Sequence, residues 1–447
     1  MILFHINQLF QADRLAWVMA TLIVLVIITV SVFSKRYLDG DRYYRRQVVD
    51  IFLLSVCLLV MVFANHMLLL LIGLTLSNIF LVRLMVHKKE WHAARNSGRV
   101  ALRTFAFGFI MLLSGIWILA DVTGTASIHA ILTQSNSLNT FAITIALSLI
   151  ALASMTQSAI WPFHTWLISS LNSPTPVSAL MHAGLVNGGG FLLVRFAQLF
   201  LTQPMLLKAL FILGLITAVI GTFWKLLQTD IKRMLACSTM AQMGFMIAEC
   251  GMGLFTFAVS HLIWHGLFKA YLFLATGSVI QEKRHKDMLG SVSLSSFMLA
   301  CFIGTGGAFV FAQVVGIPVG FNNTGSLIIV FAFMASTQIA CTLLEVFSVF
   351  KLFAAIVASL IAGGLYGGSV LLIEVVLAPL NLFQPQPLDE IYLIGFSIIF
   401  LIWLVMNMNT FIRLQNYTIW KWLYVVALNG SQPHPSTITS TRTDYQF

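Results

Sequence analysis

The sequence predicts an all-α, polytopic membrane protein of about 13 transmembrane helices. Of its 447 residues, 59% are hydrophobic and only 9% are charged, which leaves too little polar surface for a water-soluble domain of this size. Apolar runs of about 18 residues or more recur along the chain, as spanning helices require. A transmembrane barrel would instead show alternating segments of about ten residues.

The predicted spans follow these apolar runs in order. They lie at residues 15–33, 48–64, 66–86, 101–120, 140–160, 176–200, 205–227, 234–250, 253–280, 292–315, 325–347, 352–380 and 391–412. Residues 429–447 are rich in Ser, Thr and Pro, a composition that cannot bury a core. We therefore predict a single transmembrane domain over 1–428, followed by a polar, disordered tail.

The net charge of +10 comes from basic residues in short loops, so it does not indicate nucleic-acid binding. Basic loops are found at 35–46, 83–103, 230–233 and 282–287, separated by two, four and two predicted spans. An even number of spans between loops puts them all on one side of the membrane. The positive-inside rule assigns that side to the cytoplasm, and the C-terminus is then cytoplasmic.

The cysteines indicate neither a disulfide framework nor a metal site. All five lie in apolar runs and none forms a CxxC pair, so buried structural thiols are expected. The sequence also lacks a Gly-rich phosphate loop and any redox-cofactor motif. We expect no cofactor, and a transporter subunit rather than an enzyme.

The strongest functional candidates lie in one apolar run, HLIWHGLFKAYLFLATGS. His261, His265 and Lys269 follow one another at intervals of four residues, so on a helix they share a face with a rise of about 6 Å per step. Charged and titratable groups at membrane depth usually mark an ion pathway. The alternative is that the two histidines are hydrogen-bonded core residues and that Lys269 extends to the interface. The alignment of three such groups favours a proton relay.

A second candidate region combines helix breakers with polar residues. Pro162 removes a backbone donor and kinks or breaks its helix, and Pro174 and Pro176 suit the start of a new helix near Val177. Broken helices at membrane depth are typical of ion sites in transporters, although a re-entrant segment without ion passage is the alternative. The candidate residues here are Gln157, His164, His182 and Asn187, and the glycines 188–190 permit close helix packing.

Other charged residues in the spans have weaker signals. Lys225 is a candidate link between the relay and the cytoplasm, or it extends to the interface. Arg195 is expected near the outer interface, and Glu249 and Glu374 are expected to be solvated near span ends. Glu345 and Lys351 are six residues apart, so they share a site only if the helix breaks between them; we include both as pathway candidates.

Four motifs carry a family resemblance: WPFHTWL, SPTPVSALMHAG, QTDIKRMLACSTMAQMGFM and HLIWHGLFKAYLFLATGSV. In order and spacing they resemble the antiporter-like membrane subunits of respiratory complex I and of multisubunit Na⁺/H⁺ antiporters. The resemblance is strong over residues 150–285 and weaker over 35–150, where YLDGD is similar to the same family. It implies an inverted-repeat architecture in which a broken helix and a His/Lys ladder carry protons.

Residue by residue, the resemblance places His182, His261, His265 and Lys269 on family positions. Two positions differ, because Gln157 stands where the family has a lysine and Thr75 where it has a glutamate. A position with a further membrane lysine in some members is Asn187. A pair that acts through charge cannot work without charges, so the complex I mechanism is not expected to apply unchanged.

Within this superfamily, HAGLVNGGGFLLVRFA and STMAQMGFM followed by HGLFKA resemble the membrane subunits of DAB inorganic carbon pumps. This resemblance implies an H⁺- or Na⁺-conducting subunit in the bacterial inner membrane, coupled to a large zinc-dependent, carbonic-anhydrase-like (DabA-type) partner. One alternative is a proton-translocating subunit of complex I, a multisubunit Na⁺/H⁺ antiporter or a membrane hydrogenase. Another is a non-conducting anchor for a soluble partner, which the intact ladder disfavours.

Overall fold

In the computed structural model, apolar helices account for nearly all regular structure. The described residues are 9–133, 140–280, 293–318, 320, 322–345, 348–407 and 417–438. The predicted basic loop at 282–287 lies outside them. Within the described ranges no strand forms, and β-pairing is confined to isolated bridges. The all-α prediction is confirmed.

The main helices are numbered in chain order. They are α1 Arg14–Tyr37, α2 Tyr44–Phe63, α3 Met67–Met85, α4 His92–Thr123, α5 Thr140–Gln157, α6 Thr175–Leu180, α7 Asn187–Arg195, α8 Pro204–Leu227, α9 Ile231–Gly251, α10 Phe255–Leu274, α11 Leu294–Val315, α12 Gly325–Leu343, α13 Val349–Leu377, α14 Glu390–Asn407 and α15 Thr418–Gly430. A π-helix, Met181–Leu185, joins α6 to α7, so that Thr175–Arg195 forms one span.

Among the described residues, 11 helices are long and apolar enough to cross a membrane. The predicted spans at 140–160 and 234–250 are also helical, as α5 and α9. Helix α15 was not predicted as a separate element, because its 13 residues are too few to span. The prediction of about 13 spans therefore matches the helices observed, with the count remaining approximate.

The described residues divide into two compact units, where the sequence predicted one domain. Unit 1 holds the described residues of Met1–Gly251, His261–Ile280 and Ala427–Phe447, and unit 2 holds those of Met252–Ser260 and Gln281–Val426. Helix α10 passes from unit 2 into unit 1 at His261. The candidate relay therefore belongs to unit 1.

Small residues hold the helices of unit 1 in close contact. A Cβ atom on Gly214 of α8 would lie 2.5 Å from the backbone nitrogen of Ala248, and one on Gly244 of α9 would lie 2.6 Å from that of Ala218. Larger side chains would force the two backbones apart. Small residues at such positions are the usual means of close helix packing in membranes, and here they fix α9 beside α8.

In unit 2, α11, α12 and α13 pack around an apolar cluster. Its buried members are Phe297, Ala300, Ile303, Ala340, Cys341, Leu344 and Ala355. Glycine again permits close approach, since a Cβ on Gly363 of α13 would meet the carbonyl oxygen of Gly307 on α11. Helix α14 is largely exposed within the unit, because only 6% of its 18 residues are buried.

The first two basic loops lie together at one end of unit 1. Arg42 donates to Glu90 at 3.0 Å, and His87 lies 3.0 Å from Asp41 of the YLDGD sequence. Burial alone would raise the pKa of Asp41. The hydrogen bonds from His87 and from the Tyr43 backbone outweigh burial, so this pKa lies below its ordinary value.

Residues 431–438 lie at the same end as the third basic loop, contrary to the prediction of disorder for this part of the tail. Arg233 donates a hydrogen bond to the side chain of Gln432 at 3.3 Å. Two asparagines donate to backbone carbonyl oxygens of the segment: Asn96 to that of Ser436 at 2.7 Å, and Asn172 to that of Thr437 at 3.1 Å. The polar composition suggested disorder, but these hydrogen bonds and the burial of Ser431 anchor the segment.

Candidate ion pathway

The three aligned residues of α10 are buried, as the sequence predicted. His261, His265 and Lys269 are 9%, 5% and 1% exposed, and the two imidazole rings are 6.3 Å apart between centroids. Lys269 does not extend to an interface, because its Nζ donates to Ser238 Oγ of α9 at 2.8 Å. The interface alternative for Lys269 is therefore wrong.

Helix α9 connects the lysine end of the ladder to His182. Thr239 follows Ser238 on α9, and its Oγ1 lies 3.1 Å from His182 Nδ1. The Thr239 hydroxyl group also lies 3.0 Å from the carbonyl oxygen of Leu235. The tautomer of His182 decides whether the imidazole donates to Thr239 or accepts from it. The ring stacks on Phe273 of α10, with centroids 4.3 Å apart.

Glu249 stands at the histidine end of the ladder. Its carboxylate oxygen Oε2 lies 3.2 Å from Nδ1 of His261, and the residue is 1% exposed. The expectation that Glu249 is solvated at an interface is wrong, because α9 turns it toward α10. An acidic residue inside an apolar run was the available signal, but its partner is visible only in three dimensions.

Neither ring nitrogen of His265, at the centre of the ladder, has a hydrogen-bond partner among the residues that the structure describes. Buried polar groups are nearly always paired, so a ring held in this way is unusual in a purely structural role. The core-histidine alternative, which requires hydrogen bonds, does not describe His265.

The break in the polypeptide lies where the prolines predicted it. Helix α5 ends at Gln157, and α6 begins at Thr175 with Pro176 in its first turn. The peptide bond between Trp161 and Pro162 is cis. The sequence predicted a restart near Val177, two residues from the observed one.

Polar side chains of α5 cap the backbone around the π-helix. Gln157 donates to the carbonyl oxygen of Leu185 at 3.1 Å, and Ser158 and Ser154 donate to those of Val186 and Gly189, each at 2.7 Å. A π-helix leaves carbonyl groups outside the regular α-helical pattern, and an apolar environment requires that they be satisfied. The π-helix itself was not predicted, because no local sequence signal marks it.

Gln157 also forms a reciprocal amide pair with Asn78 of α3. Asn78 Nδ2 donates to Gln157 Oε1 at 2.9 Å, and Gln157 Nε2 donates to Asn78 Oδ1 at 3.0 Å. Both amides, together with Thr75, line a cavity of about 180 Å³ between α3, α4 and α5. The two positions at which the family resemblance implies charges thus face one cavity, and in this chain both are neutral. Asn78 was not identified from the sequence.

Asn187 joins the start of α7 to the ladder helix. Its Nδ2 donates to the carbonyl oxygens of Ala183 at 3.0 Å and of Leu262 on α10 at 3.3 Å, and its Oδ1 has no partner. Gly266 of α10 approaches the same π-helix, since a Cβ there would lie 2.9 Å from the Ala183 carbonyl oxygen. The break and the ladder are therefore in direct contact.

The remaining candidates differ in their surroundings. Lys225, exposed near the end of α8, is a cation whose charge acts on Lys269. His164 packs against Trp224 with ring centroids 4.8 Å apart. A break separates α12 from α13, where Glu345 is exposed and Lys351 is half-buried, and both belong to unit 2.

Arg195, which is expected near the outer interface, is the last residue of α7 and is buried there. It is 6% exposed, pairs with Asp13 at the start of α1, and donates to the carbonyl oxygen of Val62 at 2.8 Å. The partner is 182 residues away in sequence, so no local pattern indicates the pairing. Among the described residues, no group of three His, Cys, Asp or Glu side chains is placed to hold a metal ion.

Residues 64–351 match the transmembrane family described as NADH:quinone oxidoreductase/Mrp antiporter. The chain is 38% identical over 295 residues to the probable inorganic carbon transporter subunit DabB1 of Halothiobacillus neapolitanus, covering 64% of this chain and 52% of that protein. It is 41% identical over 278 residues to the probable inorganic carbon transporter subunit DabB of Bacillus anthracis, covering 60% and 53%.

Complex I and antiporter proteins are similar as well. NADH-quinone oxidoreductase subunit L of Buchnera aphidicola is 32% identical over 331 residues, which cover 71% of this chain and 52% of that protein. A solved structure of the Mrp complex from Dietzia sp. DQ12-45-1b aligns with a TM-score of 0.57 at 22% identity, over 95% of this chain and 45% of the matched one. That likeness shows the fold. The chain spans about half the length of the curated relatives it matches.

Proposed function

We propose that this chain, which belongs to the NADH:quinone oxidoreductase/Mrp antiporter transmembrane family, is the cation-conducting subunit of an energy-coupled inorganic carbon uptake complex. The observation that carries the proposal is the buried ladder of His261, His265 and Lys269, continued through α9 to His182. The similarity to proteins named inorganic carbon transporter subunits supports the choice of substrate.

In this proposal each ladder residue accepts a proton from one neighbour and passes it to the next. The rings of His261 and His265 have centroids 6.3 Å apart, and neither His265 nitrogen is hydrogen-bonded to a described residue, so a water is needed to bridge them. Lys269 then exchanges its proton with the hydroxyl group of Ser238, beside Thr239 and His182. Gln157 and Asn187 hold the broken helix against this path.

The ion gradient supplies the energy in this proposal. One charge that crosses a potential of 100 mV releases about 2.3 kcal/mol. The proposed recipient is a large, zinc-dependent, carbonic-anhydrase-like partner, which hydrates CO₂ to bicarbonate. The complex would lie in the bacterial inner membrane, with the basic end of unit 1 and the C-terminus in the cytoplasm.

A second candidate is a proton-translocating subunit of a complex I-like enzyme or antiporter, which the similarity to subunit L favours. The amide pair of Gln157 and Asn78 weighs against it. Charge-driven coupling needs groups that gain and lose charge, and neither side chain titrates.

The test is growth of a carbonic-anhydrase-deficient bacterial host in air. Coexpression of this chain with its partner should rescue growth, and Lys269→Ala should abolish the rescue with protein levels unchanged. Lys89→Ala, which changes an exposed loop lysine, is the matched control and should rescue fully. Full rescue by Lys269→Ala would exclude the relay, and no rescue by the unchanged pair would exclude inorganic carbon uptake.

A further inference from the structure

Two carboxylates of unit 1 are equally buried but differ in their surroundings. Asp50 and Glu249 are each 1% exposed. Asp50 lies 2.9 Å from Arg83 and 3.6 Å from Arg46, so two permanent cations neutralise its charge. This arrangement is expected of a carboxylate whose role is structural.

Among the described residues, no Lys or Arg side chain forms an ion pair with Glu249. The charged partner near its carboxylate is His261, whose Nδ1 lies 3.2 Å from Oε2 without the alignment of a hydrogen bond. A histidine holds its positive charge only while protonated. An ionised glutamate buried without a lasting counter-charge is costly, so this pair is stable when it shares a proton.

We infer that Glu249 and His261 form a proton-exchange pair that loads the ladder at its outer end. The inference rests on the proposed function and extends it, because it adds Glu249 to the pathway and names H⁺ as the ion. A proton on Oε2 passes to Nδ1 of His261, and the imidazole releases its other proton from Nε2 toward His265. The carboxylate can then take the next proton, and His261 returns its remaining proton from Nδ1 to Nε2 by tautomer exchange before the next transfer.

The ligands at this position suit a proton better than a metal cation. Hard cations are held by several oxygen ligands, whereas the pair offers one carboxylate and one imidazole. The other titratable group next to the carboxylate is the thiol of Cys250. Helix α8 packs on this end of α9. The atoms of α8 closest to a Cβ placed on Gly251 are backbone atoms of Leu207 and Phe211, which do not titrate.

The experiment measures proton uptake by the chain and its coexpressed partner in liposomes. A potassium diffusion potential drives uptake, and an enclosed pH-sensitive dye reports it, with and without Na⁺. Glu249→Gln should lower uptake by at least about tenfold, because the amide cannot exchange a proton. Glu249→Asp should retain most of the uptake. Glu390→Gln, which changes an exposed acid at the start of α14, should behave as the unchanged protein.

The pH profile and the thermal stability separate a proton-exchange role from a structural one. Glu249→Gln should change the dependence of uptake on pH while its unfolding temperature stays the same or rises, since a buried charge has been removed. Unchanged uptake and pH profile would overturn the inference, and so would a fall in stability or an absolute requirement for Na⁺. Lys269→Ala serves as the reference. If it abolishes uptake while Glu249→Gln does not, the inference fails and the proposed function stands.

Discussion

The ladder helix and the broken helix are in contact, yet their polar residues are of different kinds. On α10 the ladder residues His261, His265 and Lys269 are titratable groups, and His265 has no hydrogen bond from the described residues to hold it. The side chains that bond to the backbone of the break, Gln157, Ser154 and Ser158, are amides and hydroxyls, as is Asn78 beside Gln157, and all four are hydrogen-bonded. Satisfied polar networks rigidify a core. In the proposed function the ladder moves protons, and these amides and hydroxyls hold the break in place.

The largest expected effect on stability comes from placing a charge at the break. Gln157→Lys should lower the free energy of unfolding by about 3 kcal/mol or more, because it buries an unpaired cation beside a neutral amide. Adding Asn78→Asp to it should recover much of this loss. The lysine amine and the aspartate carboxylate would form an ion pair at the contact where the two amides now lie 2.9 Å apart. Thermal unfolding in detergent measures both.

The two single variants and the double variant form a double-mutant cycle. If the double variant is no more stable than Gln157→Lys alone, the two side chains are not coupled as the structure indicates. Gln157→Glu is the size-matched control, since it changes charge with little change in volume.

The next effect concerns the ladder. His265→Phe should lower proton uptake by at least about tenfold and should leave thermal stability unchanged or raised, because an unpaired buried ring is replaced by an apolar one. Uptake in liposomes and unfolding temperature are measured on the same preparation. A large loss of stability with normal uptake would mean that His265 is a structural residue.

The sequence predicted the spans closely because long apolar runs and prolines are local signals. Helix α5 ends at Gln157 and α6 begins at Thr175, as the positions of Pro162 and Pro174 indicated. The ladder was also predictable, since the spacing of His261, His265 and Lys269 is itself a helical period.

What the sequence did not reveal are partners from distant parts of the chain. Asn78 meets Gln157 across 79 positions, and Asp13 meets Arg195 across 182. Ser238 and Glu249 gain their roles only because small residues hold α9 close to α8 beside the ladder. No single segment carries that information, so Arg195 and Glu249 were assigned to the interface.

A smaller effect is expected where the two regions touch. Asn187→Ala removes the hydrogen bonds to Ala183 and Leu262 and should lower the free energy of unfolding by about 1–3 kcal/mol. Proton uptake should fall less than in His265→Phe, because Asn187 supports the path without carrying protons. Uptake as low as that of His265→Phe, at normal stability, would instead place Asn187 in the path.

The most direct test compares one residue from each region in a single uptake measurement. Lys269→Ala removes the buried amine of the ladder. Thr75→Val removes the hydroxyl group at the position of the family's glutamate. Among the described residues, this hydroxyl group donates to the carbonyl oxygen of Leu71 on its own helix. Proton uptake should fall to the level of empty liposomes for Lys269→Ala and should remain that of the unchanged protein for Thr75→Val. Normal uptake by Lys269→Ala, or loss of uptake in Thr75→Val, would contradict the assignment of conduction to the ladder.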